Sequence, residues 1–271
     1  MPALSSRSLS PALAPFVARR QYIEADSDGA LERVLPSGRV HLMVNLHDDE
    51  FRTYHGADCA VVRRTSGAVL EGPSSRSRVI DTNLARSLIS VNFTLGGAAA
   101  FFRMPLLEAR DELLDLDDVW PLEGRQLREQ LLEAPSPEMK LRVVEDALLA
   151  HFDRRDAPDG AVTATASLLE RGTSIDDAAS HIGVSRRTLA RRFQASIGLT
   201  PKRFARVRRL QRVVGSVRAS HDVDWCDVAA VHGFADQAHL VHDFRELAGI
   251  TPTAYRPRSV AERNHVPLAP R

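Results

Sequence analysis

In the first third of the chain apolar and polar positions alternate with a period of two. Val40, Leu42, Val44 and Leu46 alternate with His41, Met43, Asn45 and His47, and Ile89, Val91, Phe93 and Leu95 alternate with Leu88, Ser90, Asn92 and Thr94. That period predicts strands with two unlike faces. Turn signals at Asp28-Gly29, Pro36-Ser37-Gly38, His47-Asp48-Asp49, Ser66-Gly67 and Gly72-Pro73-Ser74 punctuate the stretch from Phe16 to Leu95. About seven or eight short strands at this spacing point to a small antiparallel sandwich or barrel. Residues 1–15, rich in Ser, Pro and Ala, are expected to be poorly ordered.

After Gly96-Gly97 the period becomes helical, with helices predicted over 98–103, 124–133 and 137–152. The last carries Leu141, Val144, Leu148 and Leu149 on one side. The polar stretch 153–160 holds both Pro158 and Gly160 and reads as a linker. From Ala161 to Tyr255 everything reads as helix, and residues 259–271 read as a flexible tail. The predicted fold is therefore α+β with two domains. A small antiparallel β-sandwich or barrel with trailing helices fills 1–152, and an all-α domain fills 161–258.

The helical half contains a repeat. Gly183-Val184-Ser185, Leu189, Phe193 and Gly198-Leu199-Thr200-Pro201 return as Gly233-Phe234-Ala235, Leu240, Phe244 and Gly249-Ile250-Thr251-Pro252. Leu, Phe, Gly, Thr and Pro recur at an offset of 51, whereas Ala179/Ala229 and the first glycines recur at 50, so the second turn is one residue longer. Small alanines let two helices cross closely, and the turn glycines suit a left-handed backbone. Leu and Phe four apart share one face and point inward. Ser185 and Thr200 are placed to cap helices, with Pro201 in a first turn where a missing N–H costs nothing. A short helical unit repeated twice is the pattern of a tandem helix-turn-helix.

Charge sharpens this picture. The net charge of +1 hides 15 Lys/Arg against 9 Asp/Glu in residues 160–258, and 21 against 26 elsewhere. Between Arg186 and Arg218 lie eleven Lys/Arg and no acid. A merely solvated helix face would intersperse acids, so the run points to double-stranded DNA as partner. The outward face of each second helix then carries base-reading candidates: Arg186, Arg187, Ala190 and Arg191 in the first copy, Gln237, Ala238, His239 and His242 in the second. Ser185, Arg192, Lys202, Arg203, Arg206 and Arg209 are candidates for phosphate.

Residues 161–258 resemble the DNA-binding domain of the AraC/XylS family of transcription regulators. The two units, the long connecting helix over 201–217 and the Gly-Ile-Thr-Pro-x-x-Tyr-Arg ending at Arg256 carry the resemblance. It implies two recognition helices in adjacent major-groove segments of one DNA face. Arg187, Arg191, Gln237, Ala238 and His242 match the family's base-facing sites, although His242 stands where arginine is common. RNA polymerase is an implied partner. The first half resembles, less specifically, a β-rich domain found ahead of this reader in some actinobacterial-type regulators, with Leu95 where that pattern usually has proline. It suggests small-molecule sensing, homodimer formation or both, and names no effector.

Other chemistry is sparse. His41, His47 and His55 could approach one another as metal ligands, or simply line an outward strand face. Cys59 and Cys226 lie in different domains, which argues against a disulfide and suits a reducing cytoplasm. The acids of 111–118 read as a solvated turn, and Trp120 with Phe101-Phe102 as packing. No cofactor motif and no membrane-length apolar run occurs, so neither a cofactor nor a membrane partner is expected. The chain is expected not to be an enzyme. A constitutive regulator with a purely dimerising β-domain, and a DNA-associated enzyme, remain alternatives; a filled sheet interior would favour the former.

Overall fold

The computed structural model describes residues 3–5, 9–24, 31–56, 59–121, 123–154, 160–217 and 223–268. The described strands are β1 (Ala3–Ser5), β2 (Val17–Glu24), β3 (Leu31–Val34), β4 (His41–Asn45), β5 (Glu50–His55), β6 (Val61–Ser66), β7 (Ala68–Glu71), β8 (Arg78–Asp81), β9 (Ser87–Phe93), β10 (Leu113–Asp115) and β11 (His265–Pro267). They form two antiparallel sheets, ordered β1-β2-β9-β4-β7-β10 and β11-β3-β8-β5-β6. The first half is thus the expected β-sandwich. The Asp28-Gly29 turn lies outside the described residues.

The alternation read from the sequence decides which way the first sheet faces. Leu42, Val44, Ile89, Val91 and Phe93 are fully buried and pack beneath three helices. These are α1 (Leu116–Val119), α2 (Glu123–Glu133) and α3 (Pro137–His151). The Ser136 hydroxyl caps α3 by accepting from Met139 N at 3.3 Å. Leu141, Val144 and Leu148 are its buried stripe. Trp120 stacks on Phe102 at 5.0 Å and donates from Nε1 to the Phe101 carbonyl at 3.0 Å, the packing role expected of it. Where a helix was expected over 98–103, Gly97–Ala100 makes one 3-10 turn, and the acidic stretch after Asp111 builds β10 and α1 rather than a plain turn.

The opposite face of this sheet is mixed. Gln21, Ile23, Met43, Ser90 and Asn92 look toward the second sheet across a cavity of about 320 Å³.

The helical half comprises α4 (Gly160–Glu170), α5 (Ile175–Ile182), α6 (Arg186–Ile197), α7 (Pro201–Ser216), α8 (Trp225–Val231) and α9 (Gln237–Ala248). Of the expected linker, residues 155–159 lie outside the described residues.

Two terminal expectations are corrected. Residues 3–5 pair with β2, and Leu13 is fully buried, so the described part of 1–15 is built into the fold. Residues 265–267, expected to be a loose tail, form β11 on the edge of the second sheet, pairing His265 with Val34 and Val266 with Arg33. Val266 earns its order by burying itself in a core it shares with α7, α9 and Leu35.

Candidate nucleic-acid interface

Each helical unit is set by the same local chemistry. Ser174 caps α5, accepting from Asp177 N at 3.1 Å, and Ser185 caps α6, accepting from Thr188 N at 3.2 Å. Asp224 caps α8 and Asp236 caps α9, the latter accepting from His239 N at 2.7 Å. Gly183 and Gly233, at the two turns, both have φ +73° with open space around the missing side chain. Conformation alone requires glycine there. Phe193 and Ile197 face one core with Phe204, and Leu189 is buried beside them on α6; Leu240, Phe244 and Leu247 face another with Val207 and Leu210. The connecting helix α7 contributes to both, so it fixes one unit against the other.

The outward faces of α6 and α9 differ. On α6, Arg186, Arg187 and Arg191 are exposed and Ala190 is half-buried. Arg186 is ion-paired with Asp176 of α5. Arg187 and Arg191 have no ion pair among the described residues. Arg192 is exposed as well, and the Ser185 hydroxyl is already engaged as a cap. On α9, Gln237, Ala238 and His242 are exposed. His239 is not aligned with them. Its Nδ1 accepts from Ala235 N at 3.3 Å, its ring lies edge-on to Phe234, and its Nε2 is 3.2 Å from Arg209 Nη2.

The arginines of α7 depart furthest from the sequence reading. Arg206 and Arg209 both bind Asp243 of α9, which is almost wholly buried, with Nη2–O distances of 2.6 and 2.7 Å. Arg203 and Arg206 also bind Glu246. Arg209 lies 4.2 Å over the Phe234 ring. The hydrogen bond from Arg206 leads the causes that hold the Glu246 carboxyl at about 2. Burial works to raise Asp243, but hydrogen bonds from Arg206 and Arg209 outweigh it and lower it. Arg203, Arg206 and Arg209, expected to meet phosphate, thus form an internal clamp on the second unit. Arg206 and Arg209 still line, with Lys202 and His242, a cleft of about 630 Å³ between the units. Lys202 is exposed and carries no ion pair among the described residues.

Two arginines of α7 also reach the β-half. Arg208 donates to the Ser37 carbonyl at 3.0 Å and pairs with Glu170 at 2.7 Å, and Arg203 reaches the Ser75 carbonyl at 3.1 Å. Gly198, at φ +79°, sits so close to Pro73 and the Leu106 carbonyl that a Cβ would stand 2.5–2.6 Å from them. Sequence reasoning missed Glu170, Asp243 and Glu246. The Arg206–Asp243 contact spans 37 residues and no periodicity announces it.

The histidine trio expected as a possible metal site is not assembled. His41 pairs with Glu71 at 3.3 Å, His55 ends β5, and among the described residues no group of three ligating side chains is placed to hold a metal.

A helix-turn-helix domain family matches residues 178–258, the span of both units apart from the first residues of α5. Residues 178–258 thus form a helix-turn-helix domain, as the repeat predicts. A domain of unknown function (DUF6597) matches residues 9–115, most of the β-half. No curated protein matches the chain in sequence. Among solved structures it is similar to ToxT from Vibrio cholerae, with 9% identity and a TM-score of 0.46 over 87% of this chain and 97% of that one. Unsaturated fatty acid-bound ToxT, at 10% identity, gives 0.45 over 92% and 96%. The AraC-like transcriptional activator CuxR gives 18% identity and 0.24 over 78% and 94%. Similarity this remote carries no functional argument. Among the described residues no helix is long and apolar enough to cross a membrane.

Proposed function

We propose that the AraC/XylS-type domain reads a specific double-stranded site by setting α6 and α9 into consecutive major-groove segments, about one helical turn (~34 Å) apart. Arg186, Arg187, Ala190 and Arg191 face the bases of one segment, and Gln237, Ala238 and His242 those of the next, with Lys202 and Arg192 on phosphate. The observation that carries this reading is the pair of capped helices held in one relation by α7, each with an exposed face of base-reading side chains. Arg187 and Arg191 bond guanine O6 and N7; Gln237 bonds adenine N6 and N7.

In this reading the β-half senses a small molecule, pairs two copies of the chain, or both, and so alters how the reader meets DNA or RNA polymerase. The open space between its sheets supports sensing over a purely dimerising role. Mapping bound sites across the genome yields a cognate fragment, on which wild type is titrated against random DNA. Equal affinity for both, at every salt concentration, sinks the reading.

A further inference from the structure

The two second helices end on the same piece of the β-half. α6 closes at Gly198 and α9 at Gly249, both in the left-handed conformation. Residues 72–77, which join β7 to β8, run past both ends. A Cβ on Gly198 would stand 2.5 Å from Pro73 Cγ; one on Gly249 would stand 2.6 Å from Arg33 Nη1 and 3.1 Å from Ser77 Oγ. From Pro73 to Ser77 even an extended chain spans at most about 14 Å. The two helix ends are therefore gathered on one short segment.

The contacts are polar as well as steric. The Leu247 carbonyl lies in the last turn of α9, where a helix has no partner of its own to offer. Ser77 N supplies one, donating to it at 2.8 Å. Arg33 donates to Ser77 Oγ at 3.2 Å and brings a positive charge to the end of α9, where the helix dipole favours it. Between the two helix ends, the Ser75 carbonyl accepts at 3.1 Å from Arg203, in the first turn of α7. The segment thus touches α6, α7 and α9.

It is itself held in place. Ser75 is buried, and Asp111 Oδ1 accepts from its N–H at 2.5 Å and from Arg76 N at 3.2 Å, while Oδ2 accepts from Ser75 Oγ at 2.8 Å. Gly72 N donates to the Glu112 carbonyl at 3.0 Å. Asp111 makes these bonds at φ +61°, a left-handed conformation uncommon outside glycine. Such backbone persists where the surroundings over-determine it.

Inside the reader the units are joined through α7, which contributes to both cores. A unit packed on one helix can still slide or roll against it. A second attachment, away from that helix, removes the freedom. Resting on the two-segment reading above, we propose that residues 72–77 gauge the spacing of the DNA site. They fix α6 and α9 at one separation and angle, and so set how many base pairs the protein accepts between its two segments. Arg33, Ser77 and Asp111 are positioning residues in this device, acting through α9.

The test titrates the full chain against three fragments: the cognate one, and two with a base pair added to or removed from the stretch between the segments. One base pair turns the second segment by about 35° and shifts it by about 3.4 Å. Wild type should bind the altered fragments about a hundredfold more weakly, as when two or three base contacts are lost. Asp111→Gly suits the left-handed backbone and removes only the carboxylate. It should shrink that ratio to about tenfold while lowering cognate affinity about threefold, because a loosened α9 follows the displaced segment. Asp111→Asn, which keeps Oδ1 for Ser75 and Arg76, should retain the wild-type ratio. Arg33→Met should shrink it as Asp111→Gly does, and decides alone should Asp111→Gly fail to fold. General destabilisation would weaken all three fragments together, so an unchanged ratio in both Asp111→Gly and Arg33→Met overturns the gauge. A ratio that falls equally in Asp111→Asn overturns the part given to the Asp111 hydrogen bonds. Salt-sensitive cognate binding with an unchanged ratio removes only this proposal, whereas wild type that prefers no fragment over random DNA removes the reading beneath it.

Discussion

The two helix-turn-helix units share a backbone plan and differ in what their second helices do with charge. In the first, α6 offers Arg187 and Arg191 outward with no internal partner among the described residues, and its inner face is purely apolar. In the second, α9 shows a near-neutral face outward and turns Asp243 and Glu246 against the arginines of α7. One unit is equipped to grip, the other to be positioned. A repeat constrains the core and the turns, where sterics leave few choices, and leaves the remaining faces free to diverge.

The largest effects should show the units alike. Phe193→Ala and Phe244→Ala each empty a fully packed core position and should each cost about 3–5 kcal/mol in denaturant unfolding. A much smaller loss in one would mean that its core is not shared with α7 as described. Next comes the clamp, which should set the units apart. Asp243→Ala takes the ion pair from partly buried Arg209 and leaves Arg206 with Glu246 alone, and should cost about 3 kcal/mol, whereas Asp176→Ala, which frees only exposed Arg186, should cost at most about 1 kcal/mol. Equal losses would erase the distinction.

DNA binding should sharpen it further. Arg187→Ala or Arg191→Ala should weaken the cognate site by about 1–3 kcal/mol and relax specificity, with random DNA much less affected. Lys202→Ala should weaken all sequences alike and lower the salt slope by about 1. Identical behaviour of the two kinds of variant, read by anisotropy across a salt series, would break the division between base and phosphate contacts.

The smallest effect is acid sensitivity. The Glu246 carboxyl is held at about 2 against an ordinary 4.5, chiefly by its hydrogen bond from Arg206. A carboxyl lowered by folding stabilises the fold above its unfolded value, and that contribution fades as pH falls from about 4.5 toward 2. Glu71 in the β-half is also held at about 2: burial raises it, and Arg78 with His41 pulls it further down. Glu246→Gln should therefore flatten the acid loss of the reader alone, by about 1 kcal/mol or less for so exposed a pair. A steeper acid loss in that variant would reverse the sign of the argument.

Much of this was legible in the chain. The period-two runs around Val44 and Val91 located β4 and β9 and named their buried sides. The repeat located α5–α9 to within a residue or two, because caps and turn glycines are local devices. The arginine run was harder to read. Its lack of acids suggested a bare basic surface, yet Glu170, Asp243 and Glu246, all outside the run, neutralise much of it. His239 was likewise grouped with Gln237 and Ala238 on spacing, although its ring is drawn inward by Ala235 N and Arg209. The tail was misread because Val266 and its neighbours are too few to show a period.

By itself the sequence determined the two kinds of secondary structure, the doubled unit and the residues in its turns and cores, since hydrophobic period and capping act over a few positions. Only the tertiary structure decided which arginines stay free, where the last strand docks and that the sheets enclose a space. Each of these depends on groups tens to hundreds of residues apart, brought together by burial that no local pattern records.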